Sequence, residues 1–335
     1  GVRMKAGKLP LGLLSQLLSK VDVRDPRVVL GPSPGEDAAL IDFGDRYLVA
    51  KTDPITFATD LIGWYVVQVN ANDIAVMGAT PRWLMATLLL PEGTSEDSAS
   101  AMFDQVRKAC DDLEISLIGG HTEVTYDLSR PMAIGAMLGE VAKDRVVLTS
   151  GAKPGDAIVV TKGIAIEGTA ILARESEDEL IRAGVEQEVV RTAKEYLFSP
   201  GISVVKDATV AHAAVEVHSM HDPTEGGLAT ALLEVATAAD AGLVVDEARI
   251  PVTDECESIC RALGLDPLGL IASGALLATL LPKDAPKLIA ALADEGIPAY
   301  EIGNITPAKD GLKLRSAEGV RELPTFERDE LARYL

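Results

Sequence analysis

Gly35-Glu36-Asp37-Ala38-Ala39-Leu40 opens the part of the chain that decides its reading. Lys51-Thr52-Asp53 and Asn70-Ala71-Asn72-Asp73-Ile74-Ala75-Val76-Met77-Gly78-Ala79 follow it. These stretches put acidic and amide side chains where a strand or helix would otherwise carry apolar ones. Carboxylates on separate elements can converge on one hard cation, and Mg²⁺ prefers oxygen ligands and commonly bridges to substrate phosphates. The pattern points to Mg-nucleotide chemistry.

Working outward, Ala38–Asp42 and Tyr47–Thr52 predict two strands of a hairpin around Phe43-Gly44-Asp45-Arg46. Thr59–Met77 reads as a helix, because Ile62, Val66, Val69 and Val76 form an apolar stripe. Leu11, Leu14, Leu17 and Leu18 predict an earlier amphipathic helix over Gly7–Val21. Trp83–Leu90 reads as a strand and Glu96–Glu114 as a helix capped by Thr94 or Ser95. Ser116–Ile118 is a short buried strand ending at Gly119-Gly120, and Met132–Val141 is another strand. After the turn Lys153-Pro154-Gly155-Asp156, strands are expected at Ala157–Thr161, Leu276–Leu281 and Tyr300–Ile305. Helices are expected at Asp178–Leu197, Val204–Ala213, Thr224–Ala239 and Pro282–Glu295. The boundary near residue 150 divides the chain into two α/β units, 1–150 and 151–335.

Composition narrows the function. The chain has 335 residues, 47% of them hydrophobic, with a mean hydropathy of +0.19, enough for packed cores. A net charge of −20 argues against nucleic acid, whose phosphates select basic surfaces. It also requires any ATP site to supply its own local positive charge. Cys110, Cys256 and Cys260 form no CxxC pair, so neither a zinc site nor a disulfide scaffold is indicated, and a reducing cytoplasm fits. The longest nearly apolar run, Leu268–Leu281, is broken by Gly and Ser and is too short to span a bilayer, so no membrane association is expected.

Each motif also has a plainer reading. Glu36 and Asp37 after Gly35 could hold metal while the glycine admits a phosphate, or form an ordinary acidic turn. Asp53 could point beyond the sheet edge, or be a turn residue before Pro54. Asn70, Asn72 and Asp73 are poor mid-helix residues, and their apolar neighbours favour a site border over an open solvated face. Gly119-Gly120-His121-Thr122-Glu123 permits close backbone approach, with His121 and Glu123 as candidate ligands or as surface groups. Asp222-Pro223-Thr224-Glu225-Gly226-Gly227 opens a helix whose free N–H groups suit an anion, unless Asp222 is a simple N-cap.

In this order, the motifs resemble the aminoimidazole ribonucleotide synthetase-like ATP enzymes. That superfamily includes selenophosphate synthetase, thiamine-monophosphate kinase and the hydrogenase maturation protein HypE. Gly35-Glu36-Asp37-Ala38-Ala39 resembles the family's Gly-Asp-Asp-Ala, and Asn72–Ala79 resembles its Asn/Ser-Asp-Ile-Ala-x-Met-Gly-Ala helix. Gly119–Thr122 resembles Gly-Gly-Asp/Glu-Thr. Asp222–Gly227 and Gly264-Leu265-Asp266-Pro267-Leu268 are similar to HypE segments. The resemblance implies a two-domain PurM-like fold of mixed α+β and α/β character. Its N-terminal sheet would form a dimeric barrel-like core, and its C-terminal half an α/β sandwich. It implies a homodimer and bound ATP and Mg²⁺. Glu36, Asp37, Asp53, Asp73, His121 and Glu123 would serve as metal ligands. Gly35, Asn70, Asn72, Gly119, Gly120, Thr122, Asp222, Gly226 and Gly227 would face the nucleotide. The implied activity is ATP-driven activation or phosphorylation of a small acceptor, nearest to HypE, with thiamine-monophosphate kinase chemistry and a non-catalytic nucleotide-binding partner as alternatives. Two departures stand out. His121 replaces a frequent carboxylate, and Glu330–Leu335 lacks the cysteine of HypE's Pro-Arg-Ile-Cys-like tail.

Overall fold

Alternation of apolar residues builds the first sheet. The computed structural model describes residues 3–33, 38–57 and 59–335. Residues 1–70 and 79–146 make one unit, and 71–78 with 147–335 make a second. In the first, β1 (Val28–Leu30), β2 (Ala39–Asp42), β3 (Arg46–Ile55), β4 (Thr80–Pro91), β5 (Ser116–Thr125) and β6 (Met132–Ala142) form a sheet in the order β1-β2-β3-β6-β4-β5. Neighbouring strands are antiparallel except β4 and β5, which are parallel. In β6, Ala133, Gly135, Met137, Gly139 and Val141 are buried, and the residues between them are half-exposed. Such period-two burial belongs to a sheet covered on one face. The covering elements are α2 (Ile62–Ala75), with Val66 and Val67 fully buried, and α3 (Glu96–Asp112), capped by Ser95. The preceding α1 (Leu11–Leu18) buries no residue.

The second unit has a seven-stranded sheet in the order β13-β12-β9-β11-β7-β10-β8. Its strands are β7 (Ala157–Thr161), β8 (Val217–His221), β9 (Ala241–Asp246), β10 (Leu277–Leu280), β11 (Ala299–Pro307), β12 (Leu312–Ser316) and β13 (Gly319–Glu322). β12 runs parallel to β9, and the other pairs are antiparallel. Every residue of β7 is buried. Ile158 and Val160 join one core and Ala157 and Val159 another, so this sheet is covered on both faces. One face carries α8 (Gly227–Ala239), and the other carries α7 (Val205–Ala214) and α10 (Ala285–Asp294). A third core gathers α4 (Ile166–Glu175), α5 (Glu177–Arg182), α6 (Gln187–Lys194) and α9 (Asp254–Leu263), where Cys256 and Cys260 are buried. The last helix, α11 (Glu330–Tyr334), closes the described chain.

The stretch 71–78 sits inside the second unit's core. Ala75 and Val76 pack with Val147, Val204 and Leu276, and the Met77 carbonyl accepts from the Val147 N–H at 2.9 Å.

The strand expected to stop at Ile118 continues to Thr125. The helix expected over 178–197 breaks into α5 and α6, because Gly184 turns the chain in the left-handed region at φ +90°. Five sheet strands, β1, β8, β9, β12 and β13, and the helices α4 and α11 were not anticipated. No helix among the described residues is long and apolar enough to cross a membrane.

Candidate functional site

Gly35, Glu36 and Asp37 lie outside the described residues, so the site is built from what surrounds them. Asp53 lies near the end of β3, half-buried. Strand alternation puts its side chain on the helix-covered face with Val49 and Ile55, and Lys51 falls on that face two residues away. Lys51 is a cation that motif reading passed over, although its spacing from Asp53 was visible. Thr52 points the other way and donates its hydroxyl to the Gly135 carbonyl at 2.8 Å.

Asn70 is fully buried against this strand. Its Nδ2 donates to the Asp53 carbonyl at 3.1 Å and to the Val66 carbonyl at 2.8 Å, and its Oδ1 is buried without a partner. Asn72 is equally buried. Its Nδ2 donates to the Ile202 carbonyl at 2.9 Å, and its Oδ1 accepts from the Val204 N–H at 2.8 Å. Asn70 was expected to face nucleotide, yet its donors serve main-chain carbonyls. Asn72, expected to do the same, clamps the 202–204 backbone at both ends. Both amides brace the scaffold, which explains polar residues amid a helix of core formers: buried polar groups must find partners. Asp73 is buried one residue beyond.

The structure separates His121 and Glu123 from Asp53. His121 pairs in register with Thr87 and Glu123 with Leu89, on the sheet face opposite the helices. Two strands, β6 and β4, lie between β3 and β5, a separation of about 14 Å at ordinary strand spacing. Within one chain, the expected six-residue metal set therefore cannot converge. His121 Nε2 and Glu123 Oε2 lie 3.1 Å apart, both exposed. Among the described residues no three His, Cys, Asp or Glu side chains are grouped to hold a metal. Of the carboxylates expected to bind Mg²⁺, Asp53 lies on the helix-covered face of this sheet.

Gly120 and Thr122 face the helix side instead, in register with Ala86 and Leu88. With Gly119 they border a groove of about 410 Å³ between β5 and α3, walled by Phe103, Val106 and Ile118. At Gly120, φ is +146° and a Cβ would stand 1.9 Å from the Ala86 carbonyl oxygen, so glycine is obligatory there.

The Asp222–Gly227 loop lies in the second unit. Asp222 and His221 are buried, and His221 Nε2 lies 3.0 Å from Glu234 Oε2. Gly226 is the left-handed N-cap of α8, and Gly227 adopts φ +69°. The helix start was expected to be open to an anion, but it is occupied from within. The Gly226 N–H donates to Asp329 Oδ2 at 2.6 Å, and the Gly227 N–H donates to the Thr224 carbonyl at 3.1 Å. Helix N-termini attract carboxylates as well as phosphates, and here the chain supplies its own. Nothing in the sequence signals that Asp329 returns to a loop about a hundred residues earlier.

Residues 35–141 match the AIR synthase related protein N-terminal domain, and residues 153–314 match its C-terminal domain. The chain belongs to the AIR synthase related family. Its fold is the two-domain PurM-like one, each domain a mixed sheet with helices. A hydrogenase expression/formation protein of Methanocaldococcus jannaschii is 29% identical over 94% of this chain and 93% of its own length. Carbamoyl dehydratase HypE of Rhodobacter capsulatus is 30% identical over 84% of this chain and 82% of its own. Thiamine-monophosphate kinase of Pyrococcus horikoshii is 27% identical over 72% and 74%. Among solved AIR synthase related structures, Escherichia coli HypE superposes with a TM-score of 0.75 at 22% identity, covering 97% of this chain and 99% of that one. A HypE structure in complex with ATP gives 0.68 at 24% identity over 95% and 96%.

Proposed function

We propose that the chain is an ATP- and Mg²⁺-dependent enzyme of HypE type that activates or phosphorylates a small acceptor. The observation that carries this reading is the 30% identity to a carbamoyl dehydratase HypE across more than four fifths of both chains. A similarly folded HypE solved with ATP supports the nucleotide. In this reading Asp53, with Glu36 and Asp37, holds Mg²⁺, and Lys51 supplies the positive charge that a chain of net charge −20 must provide locally. Gly35, Gly119, Gly120 and Thr122 border the nucleotide. Phosphoryl transfer asks the protein chiefly for positioning and charge neutralisation, which carboxylate-held metal and a lysine supply.

Calorimetric titration with ATP, with and without Mg²⁺, tests this. Binding should require Mg²⁺ and weaken at least about tenfold in Asp53→Asn, the loss expected for a metal-bridged charge contact. Asp73→Asn is the parallel test for the carboxylate on α2. Equal binding without Mg²⁺ and in both variants would remove the assignment. The similarity to thiamine-monophosphate kinase supports a second reading, a small-molecule kinase, which predicts ADP and a phosphorylated thiamine phosphate as products.

The open face of the first sheet supports a homodimer as part of the same proposal. Leu48, Met85, Leu89, Ile134 and Leu138 lie on it, half-buried or exposed, and the ten-residue edge strand β5 is almost wholly exposed. An apolar sheet face with a long unpaired edge seeks another chain. The three free cysteines, all buried, suit a cytoplasmic setting.

A further inference from the structure

The segment from Leu323 onward is fastened to the second unit at several points. Leu323 is buried and Phe326 half-buried in the core around α8, and Leu331 and Tyr334 pack on the core around α4 and α9. Asp329, 4% exposed, is the centre of the attachment. Its Oδ2 accepts from the Gly226 N–H at 2.6 Å, and its Oδ1 from the Ile271 N–H at 3.2 Å and the Leu331 N–H at 2.8 Å. Glu330 adds a bond from the Asp266 N–H at 2.9 Å and an ion pair with Arg333, which also donates to the Gly264 carbonyl at 2.8 Å.

A second acid lies beneath. Glu167, in the first turn of α4, is buried, and its Oε2 has no hydrogen-bond partner. One residue on, the Gly168 N–H donates to the Ile271 carbonyl at 3.0 Å, and the Ile271 N–H in turn holds Asp329. The two carboxyl groups thus flank one peptide strand. Ser273 hydrogen-bonds Glu167, and Asp329 is the charged group acting on it. Around them, Glu225 adds negative charge toward Asp329. In the segments packed against α4, Lys194 pairs with Glu177 and Tyr196 bonds Glu255. Lys194 and Arg333 are thus paired with carboxylates, and Lys162, which donates to the Gly274 carbonyl beside Ser273, pairs with Asp207.

We propose that Asp329 and Glu167 form a proton-sensitive latch: the closing segment stays docked on Gly226 and Ile271 while Glu167 carries its proton, and loosens when Glu167 ionises. Two buried carboxylates tied to one peptide, the charge of one raising the other, cannot both be charged without cost. Burial raises the Asp329 carboxyl above the ordinary carboxylate range, and the three N–H donors that bond it work against that shift. Glu167 is the one left to take up a proton, and burial raises its pKa to about 7, so the change falls at neutral pH. Opening the latch also frees the N–H of Gly226 at the start of α8, linking proton release to the Asp222–Gly227 loop.

Hydrogen exchange of the full chain, read by mass spectrometry and corrected for intrinsic rates, tests the latch. Between pH 6 and pH 8 the peptide covering 323–335 should lose protection by roughly tenfold, within the limit of tenfold per pH unit that one linked proton sets. A peptide from α3 should not change. In Glu167→Gln the 323–335 peptide should stay protected at both pH values. In Asp329→Asn it should exchange faster at pH 6 and show no pH dependence. Trypsin cleavage after the exposed Arg328, measured against Arg24 in the same sample, gives an independent readout. Wild-type protection that is flat from pH 6 to 8, or a pH dependence that survives in Glu167→Gln, would overturn the proposal.

Discussion

A methyl group at Gly120 would overlap the Ala86 carbonyl oxygen, so Gly120→Ala must push β5 away from β4. A loss of about 2–4 kcal/mol is expected, visible as a lower urea midpoint, because backbone strain and a broken ladder combine. Glu167 gives a second prediction at this scale. Its ordinary value is 4.5 and burial raises it to about 7, so the folded state holds a proton that the unfolded chain has released. The associated stability is complete below about pH 4.5 and is lost as pH rises through 7, a difference of about 3 kcal/mol. Thermal unfolding of wild type should weaken from pH 5 to pH 7.5 more than that of Glu167→Gln, and parallel curves would refute this. Glycine pairs, acids and amides in odd places were legible as special. The task each performs was not, because it depends on partners far along the chain: Asn72 on Ile202 and Val204, Gly226 on Asp329.

Elements with a clear period were the easiest to read. The hairpin of β2 and β3, the helices α3, α8 and α10, and the strands β6 and β7 follow from apolar spacing alone. β5 was cut short because Gly119-Gly120 and the polar residues after it resemble a turn, whereas an edge strand can be polar on both faces. α4 was missed because it begins after Ala165 in the left-handed region and carries Gly168 in its first turn, so no capping signal marks its start. In α2 the amides carry an energetic prediction. Asn72→Ala strands the Val204 N–H and the Ile202 carbonyl in a buried setting, at a cost of about 2–4 kcal/mol. Asn72→Asp keeps the acceptor for Val204 but loses the donor to Ile202, and should fall between wild type and alanine in denaturant midpoint. Equal midpoints for all three would mean that the clamp contributes nothing.

At the scale of the molecule, two units of mixed strands and helices were legible in the sequence, whereas the contrast between a sheet covered on one face and a sheet covered on both is a finding of the structure. The gathering of the acids was not. Sequence order suggested that all the carboxylates meet, but strand alternation sends Asp53 and His121 to opposite faces of one sheet. The open face makes the last prediction: light scattering should report a dimer, and Ile134→Lys should yield monomer by burying a charge in the proposed contact. Dimer in both proteins would place the contact elsewhere. The assignment of residues 71–78 to the second unit has a practical outcome. A gene cut at 146/147 would deliver a C-terminal fragment missing Ala75 and Val76 from its interior and Asn72 from its 202–204 turn. During synthesis, that half cannot finish its core from its own later residues. It must wait for, and then recapture, eight residues that left the ribosome near the beginning.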